Sequence, residues 1–195
     1  MLSPSRRVLV VANPAAGLKR AGDAGEAATR AVRAAGRSAE LVRTRAPSDA
    51  RTLAASAAPS GFGMVLAVGG DGTAHEAANG AAGTGVLLAV APAGTMNLLA
   101  RVLGVPLDAA RAAEAAALSR RTIEVRPGCA SGGGWSGATD TLFLLMAGIG
   151  FDAWVLRELL SDRRGKIAFR HYVTGALRGL RTYPFPAIRF EWEGG

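Results

Sequence analysis

The stretch Met64-Val-Leu-Ala-Val68-Gly69-Gly70-Asp71-Gly72-Thr73 decides the fold. A short apolar run stops at paired glycines, and a helix-like segment, Thr73–Ala82, begins at once. A buried strand that runs through a tight turn into a helix is the start of a βαβ unit. Glycine lets the backbone approach a phosphate closely, and a helix N-terminus offers free N–H groups and partial positive charge. Thr73 can cap the helix and donate its hydroxyl. Asp71 among these groups needs a task, because a bare carboxylate repels phosphate. Organising Mg²⁺, directly or through water, or accepting a proton would each supply one.

Two further segments have the same form. Val8–Ala12 runs into Asn13-Pro14-Ala-Ala-Gly17, and Leu87–Ala91 runs into Pro92-Ala-Gly94-Thr95-Met-Asn97. Taken singly, Asn13-Pro14 is a turn signal, and Thr95 and Asn97 are ordinary helix-start residues. Three such turns in one sheet lie where open α/β sheets bind ligands, at strand carboxyl ends. They suggest a phosphate-binding rim and hence a nucleotide. Arg101, one helical turn after Asn97, is open between a phosphate contact and a solvated face.

Outward from the rim the pattern alternates. Strands are expected at Arg7–Ala12, Ser38–Thr44, Met64–Val68 and Leu87–Ala91. Helices are expected at about Ala24–Ala35, Ser48 or Asp49 to Ala58, Thr73–Ala82, Met96–Leu103 and Asp108–Leu118. This predicts an α/β nucleotide-binding domain over residues 1–121, a mostly parallel sheet with flanking helices and right-handed crossovers. The character changes near Arg121. Strands at Thr122–Arg126 and Thr141–Ala147, a glycine-rich hairpin or loop at Gly128–Gly137 and helices at about Ala153–Leu160 and Ile167–Leu180 are expected. Ala187–Glu193 alternates apolar and charged residues like a half-exposed antiparallel strand. These predict the incomplete start of a β-rich second domain over residues 122–195.

Composition narrows the classes. The chain has 195 residues, 49% of them hydrophobic, and a net charge of 23 − 15 = +8. The single cysteine, Cys129, excludes an internal disulfide framework and a cysteine-based zinc site. No apolar run approaches the roughly 20 residues that span a bilayer, and no signal peptide is read, so cytoplasmic residence is expected. His75-Glu76 lacks the second histidine of a zinc-protease helix, Gly165-Lys166 lacks the rest of a Walker loop, and no serine sits in G-x-S-x-G. Gly148-Ile-Gly150-Phe-Asp152-Ala153 matches a dinucleotide fingerprint, but not at the opening of a βαβ unit. Arg157, Arg163, Arg164, Lys166, Arg170, Arg178 and Arg181 interleave with apolar residues. They form either a basic amphipathic surface for anionic lipid or a solvated face over a core.

With these residues in view, the chain resembles the diacylglycerol kinase catalytic family, which includes bacterial lipid kinases and sphingosine kinases and is distantly similar to NAD kinase. The resemblance is carried by Asn13-Pro14 with Gly17, Thr44, Gly69-Gly70-Asp71-Gly72-Thr73 with Glu76 and Asn79-Gly80, Pro92 through Arg101, Gly148 through Ala153, and Gly165-Lys166 through Tyr183-Pro184. It implies an ATP-dependent lipid kinase using Mg²⁺, acting on a diacylglycerol-type lipid. Asp71 would be catalytic and would organise the metal. Asn13, Pro14, Gly17, Thr44, Gly69, Gly70, Gly72, Thr73, Gly94, Thr95 and Asn97 would hold nucleotide. Asp152 would face the lipid headgroup. The expected partners are a lipid substrate and, peripherally, an anionic membrane surface, with no nucleic acid. The family's late Asp-Gly-Glu segment does not occur here, so a fragment or natural truncation is expected. An NAD kinase-like enzyme and a non-catalytic nucleotide-binding remnant are the alternatives.

Overall fold

The computed structural model describes residues 7–16, 21–131, 140–161 and 169–189. Gly17, Arg163, Arg164, Gly165, Lys166 and the stretch 190–195 lie outside the described residues. Two compact units divide the chain, residues 1–145 and 146–195.

The first unit follows the expected alternation: β1 (Arg7–Ala12), α1 (Ala21–Ala34), β2 (Ser38–Arg43), α2 (Asp49–Ala55), β3 (Met64–Gly69), α3 (Asp71–Ala81), β4 (Leu87–Pro92), α4 (Leu98–Val102) and α5 (Ala109–Leu118). Four strands form one parallel sheet in the order β2-β1-β3-β4. The central strands β1 and β3 are apolar because both their faces are covered. Val8, Val10, Ala12, Leu66 and Val68 pack with Ala28 and Val32 of α1 and with Ala112, Ala113 and Ala117 of α5. Their neighbours Leu9, Val11, Val65 and Ala67 point the other way, onto Ala50 and Ala54 of α2 and Ala77 and Ala81 of α3. The two-residue period of a strand thus divides one apolar run between two cores. Alanine on the helices lets them lie close. At Gly80 even a methyl group is too large: a Cβ there would overlap the carbonyl oxygen of Arg51 and sit 2.9 Å from Cβ of Ala54.

Several local expectations are corrected. Ser48 does not cap α2; it takes a left-handed conformation with φ 68°, and its side chain makes no cap bond. Asp49 turns back instead and accepts the N–H groups of Arg45 (2.6 Å) and Ala46 (2.9 Å), which hold its carboxyl below the usual aspartate range. Asp108 does cap α5, accepting from the Arg111 N–H at 2.9 Å. Thr122–Arg126 forms no strand. It is exposed, and no strand among the described residues offers it a ladder. The expected strand at Thr141–Ala147 shrinks to β6 (Asp140–Phe143), half-buried and antiparallel to β5 (Gly128–Ser131). Residues 187–189 carry no regular structure, and the rest of the expected last strand lies outside the described residues.

The second unit holds α6 (Phe151–Ser161) and α7 (Phe169–Thr182). Val155 of α6 is fully buried. Phe151, Trp154, Tyr183 and Phe185 form a cluster of rings with centroids 4.9–5.8 Å apart.

Gly80→Ala tests the helix contact. Alanine favours a helix by about 1 kcal/mol over glycine, yet the variant is expected to lose roughly 1–3 kcal/mol from the clash with Arg51. Urea denaturation reads the balance; a midpoint raised above that of the unsubstituted chain would refute the packing argument.

Candidate functional site

Parallel pairing brings the three loops to one edge. Ala12 pairs with Val68, and Gly69 with Pro92, so the strands end level. The ladder continues one step beyond them. Thr44 N–H donates to Ala12 O (2.9 Å), Asn13 N–H to Val68 O (2.9 Å), and Ala93 N–H to Gly69 O (2.8 Å).

At the centre of this edge α3 begins. Gly70 precedes its first turn, and Ala74 N–H donates to Gly70 O at 3.1 Å. The N–H groups of Asp71, Gly72 and Thr73 therefore have no acceptor within the helix. Thr73 is buried, and its Oγ1 accepts from Asn13 Nδ2 at 3.1 Å. The other end of the Asn13 amide, Oδ1, accepts from Ala15 N–H at 2.9 Å and shapes the first loop. Asn13 thus ties the first loop to the second.

The third loop meets the second through glycine. A Cβ on Gly94 would overlap the Cα of Gly70, and one on Gly70 would lie 3.3 Å from the Cα of Gly94. Asn97, in a left-handed conformation with φ 51°, folds its amide back onto Gly94: Oδ1 accepts from Gly94 N–H and Nδ2 donates to Gly94 O, both at 2.9 Å. That conformation delays the helix expected from Met96, so α4 starts at Leu98. Asp71 Oδ1 accepts the Leu99 N–H at 3.0 Å and caps α4 from the start of α3. Arg101 Nε donates to Met96 O at 3.0 Å and braces the same loop. A small crevice is lined by Gly70, Asp71, Pro92, Asn97 and Leu99.

The first unit therefore gathers Asn13, Gly69, Gly70, Asp71, Thr73, Gly94 and Asn97 in one connected arrangement. Thr44 stands at the end of β2, one strand beyond Asn13; Pro14 and Thr95 are exposed on the first and third loops, and Gly72 is exposed on the first turn of α3. Asp152 belongs to the second unit, on the first turn of α6, where it accepts a hydrogen bond from the Tyr172 hydroxyl. That bond, and some burial, raise the tyrosine pKa. Sequence reading missed two of these links. One is the Asp71 cap of α4. The other is the Asn79 side chain, whose Nδ2 donates to Leu142 O (2.9 Å) and whose Oδ1 accepts Leu142 N–H (2.8 Å), pairing α3 with β6. Both join residues far apart in the chain, where no local pattern marks them. Among the described residues no cluster of three or more His, Cys, Asp or Glu side chains could hold a metal by itself.

Residues 7–128 match the sequence profile of the diacylglycerol kinase catalytic domain. The chain belongs to that family. The match spans all four parallel strands and the three loops of the rim. A Pseudomonas aeruginosa (strain UCBPP-PA14) protein named "Probable lipid kinase YegS-like" is 35% identical over 175 residues, which cover 86% of this chain and 55% of that protein. A diacylglycerol kinase of Mycobacterium tuberculosis (strain H37Rv) is 31% identical over 147 residues, 72% of this chain and 45% of that one. The crystal structure of a diacylglycerol kinase from Bacillus anthracis superposes with a TM-score of 0.53 at 30% identity, over 59% of this chain and 44% of that chain. This diacylglycerol kinase family member thus spans about half the length of the curated relatives it matches.

The cap makes the structural share of Asp71 measurable. Asp71→Ala deprives Leu99 N–H of its acceptor and should cost about 1 kcal/mol. Asp71→Asn keeps an oxygen for that N–H and should stay within about 0.5 kcal/mol of the parent. Thermal and urea unfolding of the two variants check this; equal losses would refute the cap.

Proposed function

We propose that this chain carries the nucleotide-binding part of an ATP-dependent lipid kinase, which transfers the γ-phosphoryl group to the hydroxyl of a diacylglycerol-type lipid. The observation that carries the reading is Gly72. It is the second residue of α3, it is exposed, and a Cβ on it would meet nothing within 4 Å. Folding alone gives no reason for glycine at a helical position, where it costs roughly 0.5–1 kcal/mol relative to alanine. A phosphate seated on the N–H groups of Asp71, Gly72 and Thr73 supplies the reason, because it needs the space a side chain would take.

The remaining groups fit that occupant. Asn13 and Asn97 hold the flanking loops, and Thr44 and Thr95 would contact the nucleotide. Phosphoryl transfer is mostly positioning and charge neutralisation. The lipid oxygen forms a bond to the γ-phosphorus, the bond from that phosphorus to the β-bridging oxygen breaks, and ADP departs with the electron pair. The hydroxyl proton passes to Asp71 or to solvent. Mg²⁺ suits a rim with one carboxylate plus substrate phosphates, and when bound it would neutralise phosphate charge. Asp71 would hold it through Oδ2, which takes no hydrogen bond among the described residues, while Oδ1 stays on Leu99. Asp152, fixed by Tyr172, would meet the lipid headgroup.

Thermal unfolding with ATP and Mg²⁺ tests the nucleotide site. Ligand at a hundredfold excess over Kd stabilises by about 2.7 kcal/mol. Gly72→Ala should leave the unliganded chain as stable as the parent or up to about 1 kcal/mol more stable, and should remove most of the nucleotide shift. A full shift in the variant would overturn the phosphate assignment. Asp71→Asn should abolish transfer of labelled phosphate to diacylglycerol while the fold persists. ATP binding without phosphorylation of diacylglycerol, ceramide, a sphingoid base or phosphatidylglycerol would select a non-catalytic nucleotide-binding protein. Phosphorylation of NAD would select an NAD kinase-like enzyme.

A further inference from the structure

The end of β2 is tied differently from its neighbours. Asn13 and Asn97 hold the first and third loops with neutral amides. The loop from Thr44 to Ser48 is held by an anion. Asp49, the first residue of α2, reaches back, and its Oδ2 accepts the N–H groups of both Arg45 (2.6 Å) and Ala46 (2.9 Å). Successive N–H groups converging on one point form an anion nest, the kind of cradle that seats a phosphate. Here the chain fills it with its own carboxylate. The Asp49 N–H donates to Ala46 O (3.3 Å) and closes the same turn. Between them Ser48 holds φ 68° and its side chain makes no cap bond. A non-glycine residue stays in that conformation only where its surroundings hold it. Thr44 enters this loop directly from the sheet, its N–H donating to Ala12 O at 2.9 Å, one residue before Asn13.

We propose that Asp49 is a positioning residue for the nucleoside half of the nucleotide, closing the end of β2 to phosphate and holding Thr44 where the uncharged end of the ligand arrives. The inference rests on the nucleotide reading above and gives the ligand a direction. Two sets of backbone donors on the rim divide the work. Those at the start of α3 have no acceptor within the helix and no side chain over Gly72, so they are open to the triphosphate. Those of Arg45 and Ala46 are taken, and the carboxylate that takes them repels a second anion. A ligand with one charged and one uncharged end then lies across the rim in one direction, its phosphates toward α3 and its nucleoside toward β2. The Thr44 hydroxyl can both donate and accept, which suits the polar but uncharged groups of a sugar or base. Asp49 touches none of this ligand; it acts by fixing the backbone that carries Thr44.

Titration calorimetry of the full chain with Mg²⁺ and two probes, ATP and inorganic tripolyphosphate, separates the two halves. The parent should bind ATP more tightly than tripolyphosphate. If the loop freed by Asp49→Ala spends about one-tenth of its time in its present shape, ATP binds about tenfold more weakly. Tripolyphosphate should bind that variant no more weakly than the parent, a split that general loosening of the fold would not give. Asp49→Asn keeps an acceptor oxygen for the two N–H groups and should stay within about threefold of the parent for ATP. Thr44→Val should weaken ATP alone, and its loss should shrink in the Asp49→Ala background, because coupled residues are not additive. Circular dichroism checks that each variant is folded. Parent-like ATP binding by Asp49→Ala, equal weakening of both probes, Asp49→Asn falling as far as Asp49→Ala, or additive losses would overturn the proposal. Thr44→Val leaves Asp49 in place, so parent-like ATP binding by it overturns the proposal even if Asp49→Ala does not fold. A parent that binds both probes equally overturns this inference and leaves the phosphate site standing; a parent that binds neither overturns the nucleotide reading itself.

Discussion

Gly70 and Gly94 leave neighbouring parallel strands, and their backbones meet with no room for a side chain on Gly94. Adjacent strands lie only about 4.8 Å apart, so loops that leave level with one another must either touch or splay. Here they touch, and everything at the rim follows. Ala93 N–H reaches Gly69 O, the Asn97 amide closes on Gly94, and Asp71 reaches Leu99 N–H. A Cβ at Gly94 would push the loops apart, loosening the two bonds that join them, and would crowd Asn97 Oδ1 at 2.9 Å. The close approach makes the first turns of α3 and α4 parts of one hydrogen-bonded unit.

Helix α3 is held along its whole length. Thr73 receives the Asn13 amide at its first turn, Gly80 seats its far end against α2, and Asn79 grips both backbone groups of Leu142. The Asn79 amide does what a neighbouring strand would do, offering one donor and one acceptor to a single residue of β6. Leaving either group of Leu142 unpaired would cost about 1–3 kcal/mol where it is buried. A helix anchored this way presents its N-terminal N–H groups in a fixed direction. Donors that need no rearrangement when an anion arrives are the ones that stabilise it most.

The sheet is legible in the sequence for a physical reason. Its central strands are covered on both faces and must be apolar throughout, and each ends on residues that only a turn requires. That same turn chemistry at three strand ends makes most of the rim legible, from Asn13 through Gly69–Thr73 to Asn97. What escapes is set by contacts between distant residues. Nothing near Asp71 announces that it caps a helix twenty-eight residues on, and nothing near Asn79 announces Leu142. Asn97 is a helix-start residue by type, but whether it caps the next turn or folds back on Gly94 depends on where Gly70 stands. Thr122–Arg126 shows the converse. Its residues favour a strand, yet strand propensity is largely a measure of fit to neighbouring strands, and among the described residues none pairs with it.

The position of Asp71 combines two demands that usually compete. A carboxylate in the first turn of α3 is favoured by that helix's dipole, and its Oδ1 is favoured again by an N–H in the first turn of α4. Two helix starts thus share one anion, which offsets part of the repulsion expected between a carboxylate and a phosphate on the same rim. The bond to Leu99 also removes the side chain's rotational freedom. A carboxyl group anchored by one oxygen keeps the other in a place set by the backbone, not by a search among rotamers. On the proposed reading, the reach of Asp71 toward a metal ion or a departing proton is therefore fixed by the contact of Gly70 with Gly94, two glycines that touch neither.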